Sequence, residues 1–235
     1  MIIATRVIPA SFIDRPNKYL VRAQLDGGQE IEAHLADPGR LKELLFPGVR
    51  GWVVQARGPK RKTSYDFIAV DHGGNIVSVD TRVPNKYVKD LLDRKYLFPF
   101  AFDTILPEFR FGENSRIDFM ATRRTMKYLI EVKSVTLVED GVALFPDAPT
   151  ARGTKHLHEL VESRKKGYIP VIVLVIQRGD ANSFKPHARM DPAFAKAFER
   201  AREHGVDIKA FTSNTRFDDD GALRIEPLRF VPVDT

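Results

Sequence analysis

Two short segments carry residue types that could do chemistry together. In the first, Ser115, Arg116, Ile117, Asp118 and Phe119 alternate polar with apolar; in the second, Ile130, Glu131, Val132, Lys133 and Ser134 do the same. A period of two marks half-buried strands. Facing residues of an antiparallel hairpin have a constant index sum. A turn centred on Arg124 and Thr125 therefore sets Asp118 opposite Glu131, with Cβ atoms roughly 5 Å apart. Lys133, two residues beyond Glu131, points to the same face. Ile117, Phe119, Ile130 and Val132 are expected on the opposite face, in the core.

Two carboxylates that face each other repel unless a cation lies between them. Oxygen ligands at that spacing suit Mg2+, with Mn2+ as a substitute. Mg2+ needs only one or two carboxylates and keeps its waters for a phosphate substrate. The neighbouring ammonium can orient or deprotonate water, or stabilise charge developing on the phosphate. Together these are the parts of a metal-assisted phosphodiester hydrolase. A strand that is merely half exposed also carries Glu-x-Lys by chance, so the motif alone leaves both readings level. The cross-strand register of Asp118 favours the chemical one.

Other residues could serve the same site. Glu108 precedes the hairpin and is the candidate third metal carboxylate, and Asp147 lies in a loop after the second strand. Arg152 and Lys155 fall near a helix start, where amide groups favour phosphate, and are expected to hold a nucleic-acid backbone. His156 and His158 lack the i, i+4 spacing of helical metal ligands and read as helix-surface residues. In the first eighty residues Arg57, Lys60, Arg61 and Lys62 form the densest basic run. With Arg22, Tyr19 and Trp52 this run is expected to make a nucleic-acid groove of charges and stacking rings.

These residues need a frame. Segments 2–8, 18–25, 30–34, 49–56, 66–70 and 76–80 are short, β-branched or aromatic, and bounded by turn pairs such as Gly27-Gly28 and Gly73-Gly74. Leu41, Leu44 and Leu45 predict a short amphipathic helix between the third and fourth strands. That layout is an OB-like barrel over residues 1–83. From residue 84 the rhythm becomes helix, hairpin (116–121 and 128–135), helix (153–166) and a wholly apolar strand (170–176). A helix opened by Asp191-Pro192 and strands at 207–211 and 223–227 complete it. This is an α/β domain with a mixed sheet over 84–235, with crossovers of the usual right hand.

Composition narrows the function. Without cysteine there is no disulfide framework, thiolate zinc site or Cys nucleophile. No Walker or dinucleotide Gly-rich loop and no Gly-x-Ser-x-Gly elbow occurs. The net charge of +6 favours a polyanion, DNA above all, and is spread over both halves: 12 Lys and Arg against 9 Asp and Glu before residue 84, 25 against 22 after it. Any binding surface must then be a patch on folded structure. The opening residues do not read as a signal peptide and the longest apolar run is too short for a bilayer, so a cytoplasmic location is expected with no membrane partner.

Asp118 with Glu131-x-Lys133 resembles the PD-(D/E)xK nuclease signature, with Ile117 where that signature usually has proline. The longer stretches 112–119 (GENSRIDF), 131–137 (EVKSVTL) and 144–160 (LFPDAPTARGTKHLHEL) resemble the sugar fermentation stimulation protein A family. So do 33–45 (AHLADPGRLKELL) and Pro84-Asn85. That resemblance implies an N-terminal OB-like domain, a C-terminal nuclease-like domain, DNA binding, and a role in sugar use, maltose in particular. It maps the acidic cluster onto Asp118, Glu131 and Lys133. Two functions follow as expectations. One is Mg2+-dependent DNA hydrolysis; the alternative is a non-catalytic DNA-binding regulator that keeps the nuclease fold. A protein-binding scaffold with incidental strand acids is a third and weaker reading.

Overall fold

The computed structural model describes residues 1–56, 58, 61–112 and 115–234, in two compact units. The first comprises Met1–Val83, Gln177–Asp180 and Thr212–Arg229; the second comprises Pro84–Ile176, Ala181–Phe211 and Phe230–Thr235. The division after Val83 coincides with the change of rhythm in the sequence. The second unit is not the continuous block 84–235, however, because the chain returns to the first unit twice. One cause is visible: the strand expected to end at 211 runs on to Phe217.

In the first unit the strands are β1 (Ile2–Ala4), β2 (Ile8–Asn17), β3 (Leu20–Leu25), β4 (Glu30–Leu35), β5 (Arg50–Gln55), β6 (Tyr65–His72) and β7 (Asn75–Ser78). β2, β3 and β4 form an antiparallel meander, β4 pairs in parallel with β6, and β6 returns through β5 to β2. That circuit is a closed five-stranded barrel. Its interior alternates along each strand, as a pleat requires: Ala10 and Phe12, Val21 and Ala23, and Ala33 and Leu35 all point inward. The helix expected over 39–45 is a single turn, closed by the Leu45 N–H donating to the Leu41 carbonyl at 2.8 Å. Leu41 takes φ 49°, a left-handed conformation that cannot begin a right-handed helix. Leu41 and Leu44 are nonetheless fully buried in the barrel cluster.

Gly51 shows how tight this barrel is. A Cβ there would fall on the edge of the Phe67 ring, 2.9 Å from Cε2, and 3.1 Å from the Ala69 carbonyl oxygen. Phe67 is itself 1% exposed and packs edge-on against Phe12, so it has nowhere to move. Gly51→Ala is expected to cost about 2 kcal/mol through overpacking, read as a lowered thermal or urea midpoint. An unchanged midpoint would refute the tight packing.

The second unit holds α1 (Val83–Asp93, all but its first residue), β8 (Thr104–Arg110), β9 (Arg116–Arg123), β10 (Met126–Val135), β11 (Leu137–Glu139), β12 (Val142–Phe145), α2 (Ala151–Lys165), β13 (Tyr168–Ile176), β14 (Ser183–Pro186) and α3 (Pro192–Glu203). Two more strands, β15 (Asp207–Phe217) and β16 (Leu223–Phe230), are divided between the units. The sheet β13-β10-β9-β8 is mixed: β10 is parallel to β13 and antiparallel to β9, which pairs antiparallel with β8. β10–α2–β13 is a crossover unit, and the apolar run Pro170–Ile176 in β13 is fully buried, as a strand covered on both faces should be. A smaller sheet, β11-β12-β14, is separate from it. Asp191 caps α3 by accepting the Phe194 N–H at 2.9 Å, and its second oxygen accepts the Thr150 N–H at 2.8 Å. Thr150 is in turn the N-cap of α2, so one carboxylate fixes the start of two helices.

Candidate metal centre and basic clefts

The β9–β10 hairpin turns where expected. Arg124 takes the left-handed conformation that a tight turn requires (φ 53°), and the register Met126↔Arg123 runs through to Ile130↔Phe119. One step further, Glu131 faces Asp118. There the ladder gives way to a side chain: Asp118 Oδ2 accepts the Val132 N–H at 2.8 Å, and Oδ1 accepts Asn85 Nδ2 from the start of α1 at 2.7 Å. Phe119, Ile130 and Val132 are buried as expected. Ile117 is buried too, in the core cluster of Leu129 and the apolar face of α2. β9 has left its ladder with β10 before reaching it.

Glu131 is 2% exposed. Its Oε1 takes both available donors, Lys133 Nζ at 2.6 Å and His156 Nδ1 at 2.5 Å. Because an ionised carboxylate only accepts, Nδ1 must carry the proton. Oε2 is buried and has no hydrogen-bond partner among the described residues. Burial alone would raise the Glu131 carboxyl, but the Lys133 ammonium and His156 outweigh it and hold it below its ordinary value. Asp118 goes the other way. Burial first, and then repulsion from Glu131, push its carboxyl up to about 6, against the opposing pull of the Val132 amide, Lys133 and Asn85. Two neighbouring acids shifted in opposite directions, one with an orphaned oxygen, form a site that a hard cation would complete. The donor set of carboxylate oxygens, with an ammonium beside it, fits Mg2+.

The expected third carboxylate does not join. Glu108 is exposed, takes φ 51° within β8, and faces Arg116 at 3.8 Å. No group of three His, Cys, Asp or Glu placed to hold a metal occurs among the described residues. Of the three carboxylates expected to hold a metal, only Asp118 and Glu131 interact with each other. His156 also departs from expectation: it is 4% exposed and turned inward to Glu131, while His158 stays on the surface. Asp147 is half-buried in the loop that follows the cis Phe145–Pro146 bond. Asn85 and His156 are the residues that sequence reasoning missed. The helical stripe Gly153, His156, Leu157, Leu160 carried a signal for His156; nothing local carried one for Asn85.

Four of the basic residues expected to contact nucleic acid line two clefts. In the second unit Arg152 and Lys155 on α2 line a cleft of about 550 Å³ with Arg110, Arg116 and His156. In the first unit Arg61 and Lys62 line another, of about 580 Å³, with Tyr19 and His34. Tyr19 is exposed, and its ring stacks on His34 with centroids 6.1 Å apart at 25°. Arg61 is also ion-paired with Asp66. Arg22 is absent from that cleft and is clamped to Asp14 on an exposed face, because the β2–β3 register sets the two opposite. Trp52 instead packs edge-on against Phe217 in a separate apolar cluster. Lys60 and Arg57 lie outside the described residues. No helix among the described residues is long and apolar enough to cross a membrane.

An OB barrel followed by a mixed-sheet α/β unit defines a recognisable class of two-domain protein. The family models that match are the SfsA N-terminal OB domain, over residues 13–79, and the sugar fermentation stimulation protein RE domain, over 82–219. The chain belongs to the sugar fermentation stimulation protein (SfsA) family. It is 40% identical over 214 residues to a sugar fermentation stimulation protein homolog of Ruegeria pomeroyi, covering 89% of this chain and 93% of that one. A homolog of Chloroflexus aurantiacus is 41% identical over 206 residues, covering 87% and 79%. Among solved structures, Pyrococcus furiosus SfsA in complex with Ca2+ superposes with a TM-score of 0.87 at 26% identity, covering 100% of this chain and 98% of that one.

Proposed function

We propose that this protein is a divalent-metal-dependent phosphodiester hydrolase that acts on DNA. The observation that carries the reading is the pairing of the buried Glu131, whose Oε2 is left without a partner, with an Asp118 carboxyl driven up by burial and by that neighbour. Asp118 and Glu131 would hold the cation, with Mg2+ preferred and Mn2+ as its substitute. A cation held there supplies electrophilic charge for a phosphoryl oxygen and makes water more acidic.

The chain's own residues do the rest. Asn85 and the Val132 amide fix both oxygens of Asp118, so the carboxylate keeps one orientation. His156 holds Oε1 of Glu131, which leaves Oε2 directed away from that bond. Lys133 Nζ sits 2.6 Å from Oε1 and offers a localised positive charge where negative charge develops on phosphate. The β9 and β10 strands supply a rigid base for all of these groups. Ca2+ in the Pyrococcus relative is a hard, oxygen-preferring cation of the kind this carboxylate pair would accept.

One observation favours a second reading. With two carboxylates rather than three, the site could keep a cation without fast turnover, and the chain would then act as a DNA-binding regulator of sugar use. Incubation with supercoiled, linear and single-stranded DNA, in Mg2+ or in EDTA, separates the two. Cleavage in Mg2+ that EDTA abolishes is expected. Steeply salt-dependent binding with no cleavage in any metal supports the regulator, because phosphate contacts release counterions.

A further inference from the structure

The cleft beside the acid pair has a charge arrangement that the fold alone does not explain. Arg110 and Arg116 are directly opposite each other where β8 pairs with β9. Like charges in that position destabilise a sheet unless an anion lies between or above them. Arg152 and Lys155 line the same cleft from the first turns of α2, a helix that has no acidic residue in its first turn. Two of the four cations have acidic neighbours: Glu108 lies 3.8 Å from Arg116 and Glu159 lies 3.7 Å from Lys155. Arg110 and Arg152 have no ion-pair partner among the described residues, and the cleft keeps an excess of positive charge. Ser115, which also lines it, donates to Glu159 at 2.6 Å. That bond engages Glu159 Oε2 and leaves Oε1 toward Lys155, so this acid offsets Lys155 and not the two arginines.

His156 joins this cleft to the acid pair. Its ring lines the cleft, and its Nδ1 is bonded to Glu131 Oε1. One imidazole therefore lies between the cleft and the carboxylate, so a phosphate held in the cleft would be a near neighbour of the acid pair.

We propose that this cleft is a second phosphate subsite, which holds the backbone phosphate next to the one presented to Asp118 and Glu131. The ligand class is then a nucleic-acid strand with at least two consecutive phosphates, rather than an isolated phosphodiester. The inference rests on the phosphodiester reading for its substrate, and the planar guanidinium fork of an arginine suits bidentate bonding to two oxygens of a phosphate.

The test is equilibrium binding in EDTA, so that hydrolysis plays no part in it. Thymidine dinucleotides with no terminal phosphate, a 5′-phosphate or a 3′-phosphate are titrated into the full-length protein by calorimetry. One of the two terminal phosphates is expected to tighten binding by about tenfold, and the end that does so gives the strand polarity. In Arg110→Ala/Arg152→Ala, both exposed side chains, that gain disappears, and the salt dependence of longer oligonucleotides falls by about one phosphate contact. Equal affinity for all three dinucleotides, or a gain that survives in the double variant, overturns the proposal. Because no metal is present, a protein that passes here yet never cleaves DNA would overturn the hydrolytic reading alone.

Discussion

Asp118→Asn should lower Mg2+-dependent DNA cleavage by on the order of 10³-fold, since losing a cation worth several kcal/mol in the transition state corresponds to about that factor. The same change should leave the metal-free protein at pH 7 as stable as the parent, or more so. The folded-state carboxyl of Asp118 is raised to about 6, whereas the unfolded chain keeps an ordinary value near 3.8. Between those values the native state binds more protons than the unfolded one, so stability falls as pH rises through the window from about 4 to 6. Above it the full penalty for the buried charge is present, on the order of 3 kcal/mol at most. The amide of the variant carries no such charge, although it gives up one of the two acceptors that now satisfy Asn85 and Val132. Thermal melts in EDTA at pH 5 and 7 check this, and a parent more stable at pH 7 than at pH 5, with the Asp118→Asn variant flat, would refute it. In Mg2+ at 100 times Kd the parent should gain about 2.7 kcal/mol and the variant nothing.

Lys133→Ala should have the opposite balance. Its ammonium is one of the two donors that restrain a carboxylate only 2% exposed, and its own side chain is 12% exposed. Removing one partner of a buried pair leaves the other uncompensated, at a cost of about 3 kcal/mol. Activity should fall by roughly 10²-fold or more with the loss of charge beside the phosphate. Mg2+ should restore much of the stability, because a cation at Asp118 and Glu131 replaces the missing positive charge, but it should not restore the rate. Stability and rate measured across a Mg2+ titration separate the two effects. If metal rescued both, Lys133 would be only a counter-charge.

The hairpin was legible because strand geometry is periodic. A turn at Arg124 and an index sum shared by every pair fix which residues face each other, and a spacing of two brings Lys133 beside Glu131. Asp191-Pro192 gave away α3 by the same local logic, though its second bond, to Thr150, crosses 41 positions and leaves no trace in the sequence. Asn85 reaches Asp118 across 33 positions, again with nothing local to announce it. β8 was missed altogether. It pairs on one side only, its side chains are mostly exposed, and so it lacks the alternation that reveals a half-buried strand. Placing Glu108 depended on that strand. The insert at 39–45 has helical spacing but a left-handed Leu41, so its leucines fill the barrel core rather than form a regular helix.

The mutual repulsion of Asp118 and Glu131 has a consequence for how the family can diverge. A lineage that stopped needing the cation would gain folding stability from a neutral replacement at position 118 that still accepts from Asn85 and Val132, so drift toward such a residue is downhill. If the proposed hydrolysis holds, an aspartate that persists at this position in a relative is a mark of use, and a neutral residue there marks a member that has given up the chemistry.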